Sequence, residues 1–95
     1  MDVLEPAEID ARLEGGRWKR VGEGIVREVA FADFRQALAF VNRVGRAAEE
    51  AGHHPDLLLH SYRHVRVTSS THSVGGVTAL DLALAQTIDG LVSSS

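Results

Sequence analysis

Three histidines in one short stretch of the sequence are its most informative residues. His53 and His54 stand side by side before Pro55, and His72 follows within the same region. An imidazole exchanges protons near neutral pH without help from its surroundings, so the group suggests proton transfer. Metal binding is the rival interpretation. Adjacent histidines cannot easily bind one ion together, no histidine pair with zincin spacing falls on a predicted helix, and the chain has no cysteine. We therefore expect no metal, with a three-histidine zinc site as the alternative.

Length and composition limit the classes of protein to which the chain can belong. With 95 residues, 44% of them hydrophobic and 24% charged, we expect one small globular domain spanning residues 1–95. The net charge is −3 and the basic residues are scattered, so direct nucleic-acid binding is not expected. The N-terminus lacks the pattern of a signal peptide, and no apolar run reaches the ~20 residues of a membrane span. We expect a soluble, unprocessed, cytoplasmic protein that does not bind membranes.

Periodicity and local signals predict seven secondary-structure elements. Asp33 and Gln36 form a capping box before a long run of apolar residues at helical spacing, and Gly52 is suited to end that helix. The remaining signals are turns, β-branched runs and a second capping pair. They predict a short helix from Pro6 to Gly15, strands at 18–21 and 25–31, a helix at 34–51, strands at 57–59 and 65–69, and a last helix opened by Thr78 and Asp81.

The order of these elements predicts the fold class. Short strands follow one another with little room for crossover helices, and this favours antiparallel pairing. We therefore expect an α+β two-layer sandwich, in which a four-stranded antiparallel sheet carries three helices on one face in the order α-β-β-α-β-β-α.

The predicted elements place all three histidines on loops. His53 and His54 follow the long helix, while His72 follows the last strand. Loops on a rigid scaffold often carry chemistry, and we hypothesise that the three imidazoles converge at one end of the sheet. The alternative for His53 and His54 is a purely structural interaction with the helix C-terminus.

Seven residues in this region have a characteristic spacing, namely Glu49, three residues, His53-His54-Pro55, six residues, Tyr62, nine residues, His72, eight residues and Asp81. This pattern resembles the signature of the pterin-4a-carbinolamine dehydratases. The resemblance extends to Trp18 before the predicted hairpin, to the segment FADFRQALAFVNRV, to Thr71 and to the closing LDLALAQTID, so it covers most of residues 18–89.

The resemblance implies an activity and a set of roles. It implies elimination of water from 4a-hydroxytetrahydropterin to give quinonoid dihydropterin, with pterin as the substrate and no cofactor. Because this elimination delivers one proton and removes another, histidines suit it. By analogy His53 and His72 would be the acid and base, and His54 would bind and orient the substrate, although the sequence also allows these roles to be permuted. Substrate-binding positions would be Glu49, Trp18, Pro55 and Asp81.

Several of these residues have equally plain structural interpretations. Glu49 could be a solvated charge at a helix end, Asp81 a helix cap, and Trp18 a core residue. Tyr62 is expected at a strand end or turn. The sequence departs from the family pattern at Leu57, where many members carry an aromatic residue, and this concerns one wall of the pocket.

His60 and His64 fall outside the signature, and we expect them to face solvent from the strands.

A second hypothesis is a non-catalytic dimerisation or transcriptional coactivator module of the same fold. Its sequence basis is the small size of the chain and the strand at 65–69, which could form an open sheet edge. The family resemblance also implies a homodimer or homotetramer and a functional link to an aromatic amino acid hydroxylase.

Overall fold

The computed structural model describes residues 2–93, which form three helices and four strands. In chain order these are α1 (Pro6–Leu13), β1 (Lys19–Val21), β2 (Gly24–Ala30), α2 (Phe34–Ala51), β3 (Asp56–His60), β4 (His64–Ser69) and α3 (Ala79–Ser93). A turn of 3₁₀ helix at His72–Val74 lies between β4 and α3. The predicted order α-β-β-α-β-β-α and the α+β class are confirmed.

The strands form one antiparallel sheet in the order β1-β2-β4-β3. Helix α2 packs against β3, β4 and α3, and α1 packs beside β1. One sequence expectation is wrong here, because β4 is not an edge of the sheet. Its hairpin partner β3 covers one side and β2 covers the other, so the edges are β1 and β3.

Alternation along the strands places apolar side chains on the face that the helices cover. Val65 and Val67 of β4 are fully buried, whereas Arg66 between them is exposed. The core lies between this face and the helices, and its largest fully buried apolar side chains are Phe40, Ile25, Ile88, Val44, Val65 and Val67. Burial of each such side chain contributes roughly 1.5–3 kcal/mol.

Helix α2 has the caps that its sequence predicts. The Asp33 carboxylate accepts a hydrogen bond from the Gln36 amide at 2.8 Å, and Gly52 ends the helix in the left-handed conformation at φ 64°. A residue with a Cβ is disfavoured in that conformation. The cap turns the chain sharply, so that His53 leaves the end of the helix at a fixed position; its amide donates to the Ala48 carbonyl at 3.2 Å.

The register of the sheet brings two loops to the same end of the molecule. Asp56 at the start of β3 pairs with Thr68 near the end of β4. The loop before β3 carries His53, and the loop after β4 carries His72. Antiparallel pairing therefore places both loops at one end of the sheet, and the contacts of Asp81 with His53 and Thr71 place them beside the N-terminus of α3.

The helices of the described region are those of a globular domain. The most apolar of them, α3, buries Leu82, Leu84 and Ile88 against the core. Within residues 2–93, no helix combines the length and the apolarity that crossing a membrane requires.

Candidate functional site

The carboxylate of Asp81 is the centre of a buried polar cluster at this end of the sheet. Its side chain is fully buried and lies in the first turn of α3. One carboxylate oxygen, Oδ1, accepts from the Ser69 hydroxyl at 2.6 Å and contacts His53 Nε2 at 2.6 Å. The other, Oδ2, accepts from the Thr71 hydroxyl at 2.8 Å and from the Thr78 amide at 2.8 Å.

These contacts determine the charge of the buried carboxyl group. Burial is the largest single influence and raises the pKa of Asp81. The hydrogen bonds from Ser69, His53, the Thr78 amide and Thr71 outweigh it together, so that the pKa lies below its ordinary value. Asp81 is therefore ionised at neutral pH. A buried anion satisfied by several donors is held rigidly, because losing any one donor is costly.

Because Asp81 is ionised, its contact with His53 identifies the ring nitrogen that carries hydrogen. A carboxylate can only accept, so the Nε2 of His53 is the ring nitrogen that carries hydrogen and donates to it. Nδ1 is then the nitrogen at which a neutral His53 accepts a proton. The side chain of His53 is 11% exposed, so one edge of the ring reaches solvent. The arrangement is that of an imidazole oriented by a buried carboxylate.

His72 is linked to this cluster by Thr71, the residue before it in the sequence. Thr71 is buried and bonded to Asp81, while His72 is exposed and opens the turn of 3₁₀ helix. The same carboxylate thus anchors His53 directly and the loop of His72 through Thr71. Of the three predicted catalytic histidines, His53 contacts Asp81 itself, and His72 follows a residue that does.

The third histidine pairs with another predicted site residue on the surface. His54 Nε2 contacts the carboxylate of Glu49, which lies on the last turns of α2. Both side chains are mostly exposed, so this pair is accessible to a ligand. Pro55 is half-buried and restricts the backbone of His54 before β3 begins. Substrate binding by these residues stays a prediction.

Trp18 belongs to a different polar cluster. It lies just before β1 and is 4% exposed, and its indole N–H donates to Asp89 Oδ1 at 2.7 Å. The guanidinium of Arg27 pairs with the same carboxylate. Asp89 lies eight residues beyond Asp81 on α3, or roughly 12 Å along the axis. A cavity of about 200 Å³ beside Trp18 is lined by residues of α3 and of the end of α1. The structure does not bring Trp18 together with the histidines, and its contact with pterin stays a prediction.

The structural interpretation of Asp81 as a helix cap is confirmed, whereas its contact with substrate stays a prediction. The Leu80 amide donates to the Thr78 hydroxyl at 3.2 Å and the Thr78 amide donates to Asp81, which is a reciprocal capping box. The same carboxylate holds His53 and Thr71. The residue that starts α3 is therefore also the residue that orients the site.

Ser69 is a partner of Asp81 that the sequence did not predict. Ser69 is fully buried and follows Val65 and Val67 on the inward face of β4. Ser69 takes the next inward position after two buried valines, and a buried hydroxyl group needs a hydrogen-bond partner. This pattern in the sequence could have identified Ser69 as part of a buried polar cluster.

His60 and His64 lie on the face of the sheet that carries the exposed Arg66, as expected for solvent-facing strand residues. They are cross-strand partners beside the hairpin turn, their rings stack at 5.5 Å, and each is half-buried. Pairing directly opposite one another makes each ring cover the other. The turn between them contains Tyr62 at φ 55°, as expected for a turn residue.

Leu57, where the sequence departs from the family pattern, is half-buried on β3. It lines an open groove against α2 together with Val41, Gly45, Arg46 and Glu49. Glu49 also contacts His54, so the groove and the exposed histidine pair share one residue.

The structure thus combines an α+β sheet with two histidine-bearing loops and a buried carboxylate at one end. The model of one protein family, described as pterin 4 alpha carbinolamine dehydratase, matches residues 2–91. A protein of Thermosynechococcus vestitus with the provisional name pterin-4-alpha-carbinolamine dehydratase is 46% identical over 89 residues, which cover 93% of each chain. The chain therefore belongs to the pterin 4 alpha carbinolamine dehydratase family.

Two solved structures have the same fold. A Brucella melitensis protein described as a transcriptional coactivator/pterin dehydratase aligns with a TM-score of 0.88 and 33% identity, covering 95% of this chain and 98% of the other. A pterin dehydratase-like protein described as a RuBisCO assembly factor aligns with a TM-score of 0.66 and 24% identity, covering 83% and 90%. The second likeness concerns the fold alone.

Proposed function

We propose that this protein is a dehydratase that eliminates water from 4a-hydroxytetrahydropterin and releases quinonoid dihydropterin. The observation that carries the proposal is the His53–Asp81 pair, in which a buried carboxylate orients an imidazole at the edge of the site. The matching family model supports pterin as the substrate class.

The proposed reaction breaks the bond between C4a and its hydroxyl group and removes the proton from N5. One imidazolium protonates the leaving hydroxyl, one neutral imidazole takes the N5 proton, and water departs as the C4a–N5 double bond forms. His53 and His72 are the proposed acid/base pair, because both lie beside the Asp81 cluster. The oxidation state of the pterin does not change, so the reaction requires no redox cofactor, and the two imidazoles supply the proton transfers.

The remaining predicted residues would bind and orient the pterin. His54 and Glu49 offer a donor and an acceptor on the exposed side of the loop, and such pairs suit the amide and amine groups of a pterin ring. Pro55 fixes the direction in which His54 projects. In this proposal Asp81 acts through His53 and is a positioning residue.

The proposed setting is the recycling of tetrahydrobiopterin in the cytoplasm. The carbinolamine forms when an aromatic amino acid hydroxylase has used its tetrahydropterin, so such a hydroxylase would supply the substrate. We further propose a homodimer or homotetramer, because β3 leaves an edge of the sheet unpaired and carries the exposed Leu58. Light scattering on the purified protein would give the number of copies.

The test of this proposal is turnover by single histidine variants. We expect His53→Ala and His72→Ala each to remove most of the acceleration of 4a-hydroxytetrahydropterin decay, while His54→Ala raises KM more than it lowers kcat. His64→Ala is the matched control, because His64 lies at the opposite end of β4. Equal loss in His64→Ala and His53→Ala would contradict the assigned roles.

A non-catalytic binding module is the second candidate. It is favoured by the description of the Brucella melitensis protein as a coactivator and by the open edge of β3. A stoichiometric protein partner recovered with the wild type, together with the absence of pterin turnover, would support this candidate over the first. The buried Asp81 anion argues for the enzyme, because a scaffold gains nothing from orienting an imidazole at its surface.

A further inference from the structure

The N-terminal segment of the chain lies directly on the loop that carries His72. The Leu4 amide donates to the Val77 carbonyl at 2.8 Å, which fixes the segment to the chain just after that loop. Beside this bond, the side chain of Val3 covers Gly76. A Cβ added at Gly76 would lie 2.6 Å from Val3 Cγ1 and 3.5 Å from Cγ2. The Val3 side chain therefore packs so closely on Gly76 that a Cβ at position 76 does not fit without a shift.

The loop under this segment is a small closed ring. The Thr71 amide donates to the Gly76 carbonyl at 2.8 Å, and the Gly76 amide donates back to the Thr71 carbonyl at 3.4 Å. Gly75 takes the left-handed conformation at φ 69° to close the turn. His72 lies inside this ring, between an anchored Thr71 and a covered Gly76. Its own imidazole is exposed and makes no hydrogen bond to another residue of the described range 2–93. The backbone of the ring therefore decides where this imidazole points.

We propose that Val3 and Leu4 form a strap that positions His72 by pressing on Gly76, a role that rests on the proposed dehydratase function. The ring is held from two sides. Thr71 is bound from inside the molecule by Asp81, and Gly76 is covered from outside by the strap. Val3 and Leu4 are thus positioning residues, although they lie far from the histidines in the sequence.

The short distance between Val3 and a Cβ at position 76 determines the expected effect of substituting Gly76. Carbon atoms in contact normally lie about 3.5–4.0 Å apart, so a methyl group at position 76 must displace its surroundings by roughly 1 Å. Val3 cannot simply rotate away, because a β-branched side chain is stiff at χ1 and the Leu4 amide anchors the backbone. A displacement of this size at a catalytic group can cost up to ~100-fold in rate.

The experiment compares Gly76→Ala with the double variant Val3→Ala/Gly76→Ala. Replacing Val3 by alanine removes both methyl groups that the new Cβ would meet, so the double variant accommodates it. Gly90→Ala is the control, because Gly90 lies on α3 and a Cβ added there would meet nothing within 4 Å beyond its own helical turn. Two readouts are independent of turnover: hydrogen exchange of the Thr71 and Gly76 amides, and the NMR signals of the His72 ring. The third is kcat for 4a-hydroxytetrahydropterin.

We expect Gly76→Ala to speed exchange in the ring, to shift the His72 signals and to lower kcat about tenfold, with a smaller change in KM. The double variant should return all three readouts toward the wild type, a non-additive result expected of two residues in contact. Gly90→Ala should change none of them.

Two results would contradict the proposal that the strap positions His72. One is a Gly76→Ala protein whose exchange rates and His72 signals equal those of the wild type. The other is a double variant no better than Gly76→Ala. If the wild type itself shows no turnover, the proposed function fails, and the exchange and NMR readouts still decide whether the strap holds the ring.

Discussion

Replacing Asp81 by asparagine is the most informative single perturbation of the site. Asparagine has nearly the same shape, but it exchanges one accepting oxygen for an NH₂ group that donates. The Thr78 amide can only donate, so the remaining carbonyl oxygen must face Thr78 and Thr71. The NH₂ group then faces Ser69 and His53, both of which donate to the carboxylate in the wild type.

The expected loss of stability follows from these four contacts of the Asp81 side chain. Two hydrogen bonds to a charged acceptor are lost, each contributing roughly 1.5–3 kcal/mol. Part of this loss is recovered, because the Ser69 hydroxyl can rotate and accept from the NH₂ group. We therefore expect a loss of roughly 2–4 kcal/mol in the free energy of unfolding. For a chain of this length that lowers the Tm by roughly 10–30 °C.

The substitution should also change the tautomer of His53. To face an NH₂ group its Nε2 must accept, so the ring proton moves to Nδ1, the nitrogen assigned to proton transfer in the wild type. We expect kcat to fall about 100-fold or more, as expected when a catalytic imidazole is held in the wrong tautomer.

Thermal unfolding followed by circular dichroism gives the Tm, and nitrogen NMR of the imidazole gives the tautomer. Asp56→Asn is the matched control, since Asp56 is exposed on β3; its effect should stay within about 0.5 kcal/mol. A Tm within a few degrees of the wild type, or a proton still on Nε2 of His53, would contradict the role of Asp81 as the ionised acceptor for His53.

Three further predictions concern the surroundings of the site. Gly52→Ala places a Cβ at φ 64° and should lower the stability by about 1–2 kcal/mol in urea unfolding; an unchanged midpoint would mean that the cap does not constrain the chain before His53. Trp18→Phe removes the hydrogen bond to Asp89 and should cost about 1.5–3 kcal/mol; an unchanged stability would contradict the structural role assigned to Trp18. Because the folded-state pKa of Asp81 is lowered, its stabilising contribution is present above the unfolded pKa and is lost as the pH falls below roughly 4. Unfolding midpoints measured across acid pH should show this loss in the wild type and not in Asp81→Asn.

Much of the fold could be predicted from local signals in the sequence. The capping box at Asp33 and the glycine at position 52 define α2 at both ends, and the bounds of this helix agree with the prediction. The strand positions agree to within one or two residues, because β-branched runs and turns mark them. The position of β4 within the sheet could not be predicted in this way. Strand order depends on pairing between distant segments, and the pattern of residues 65–69 is compatible with an edge strand or a central strand of the sheet.

The contact between His53 and Asp81 joins two residues that the sequence had grouped, but the other contacts of the cluster could not be predicted. The spacing of the histidines and Asp81 indicated which residues belong together. That Asp81 is fully buried, and that Ser69 shares its Oδ1 with His53, depends on packing between β4 and α3. The pairing of Trp18 with Asp89 likewise joins residues far apart in the chain. No local pattern encodes such a contact.

The proposed dehydratase activity is tested most directly by the decay of 4a-hydroxytetrahydropterin, generated by a hydroxylase and followed by stopped-flow absorbance. The wild type should accelerate this decay at catalytic concentration, His64→Ala should match the wild type, and His53→Ala/His72→Ala should return the decay to its uncatalysed rate. A wild-type protein that leaves the decay at the uncatalysed rate, or a double variant that accelerates it as well as the wild type does, would contradict the assignment.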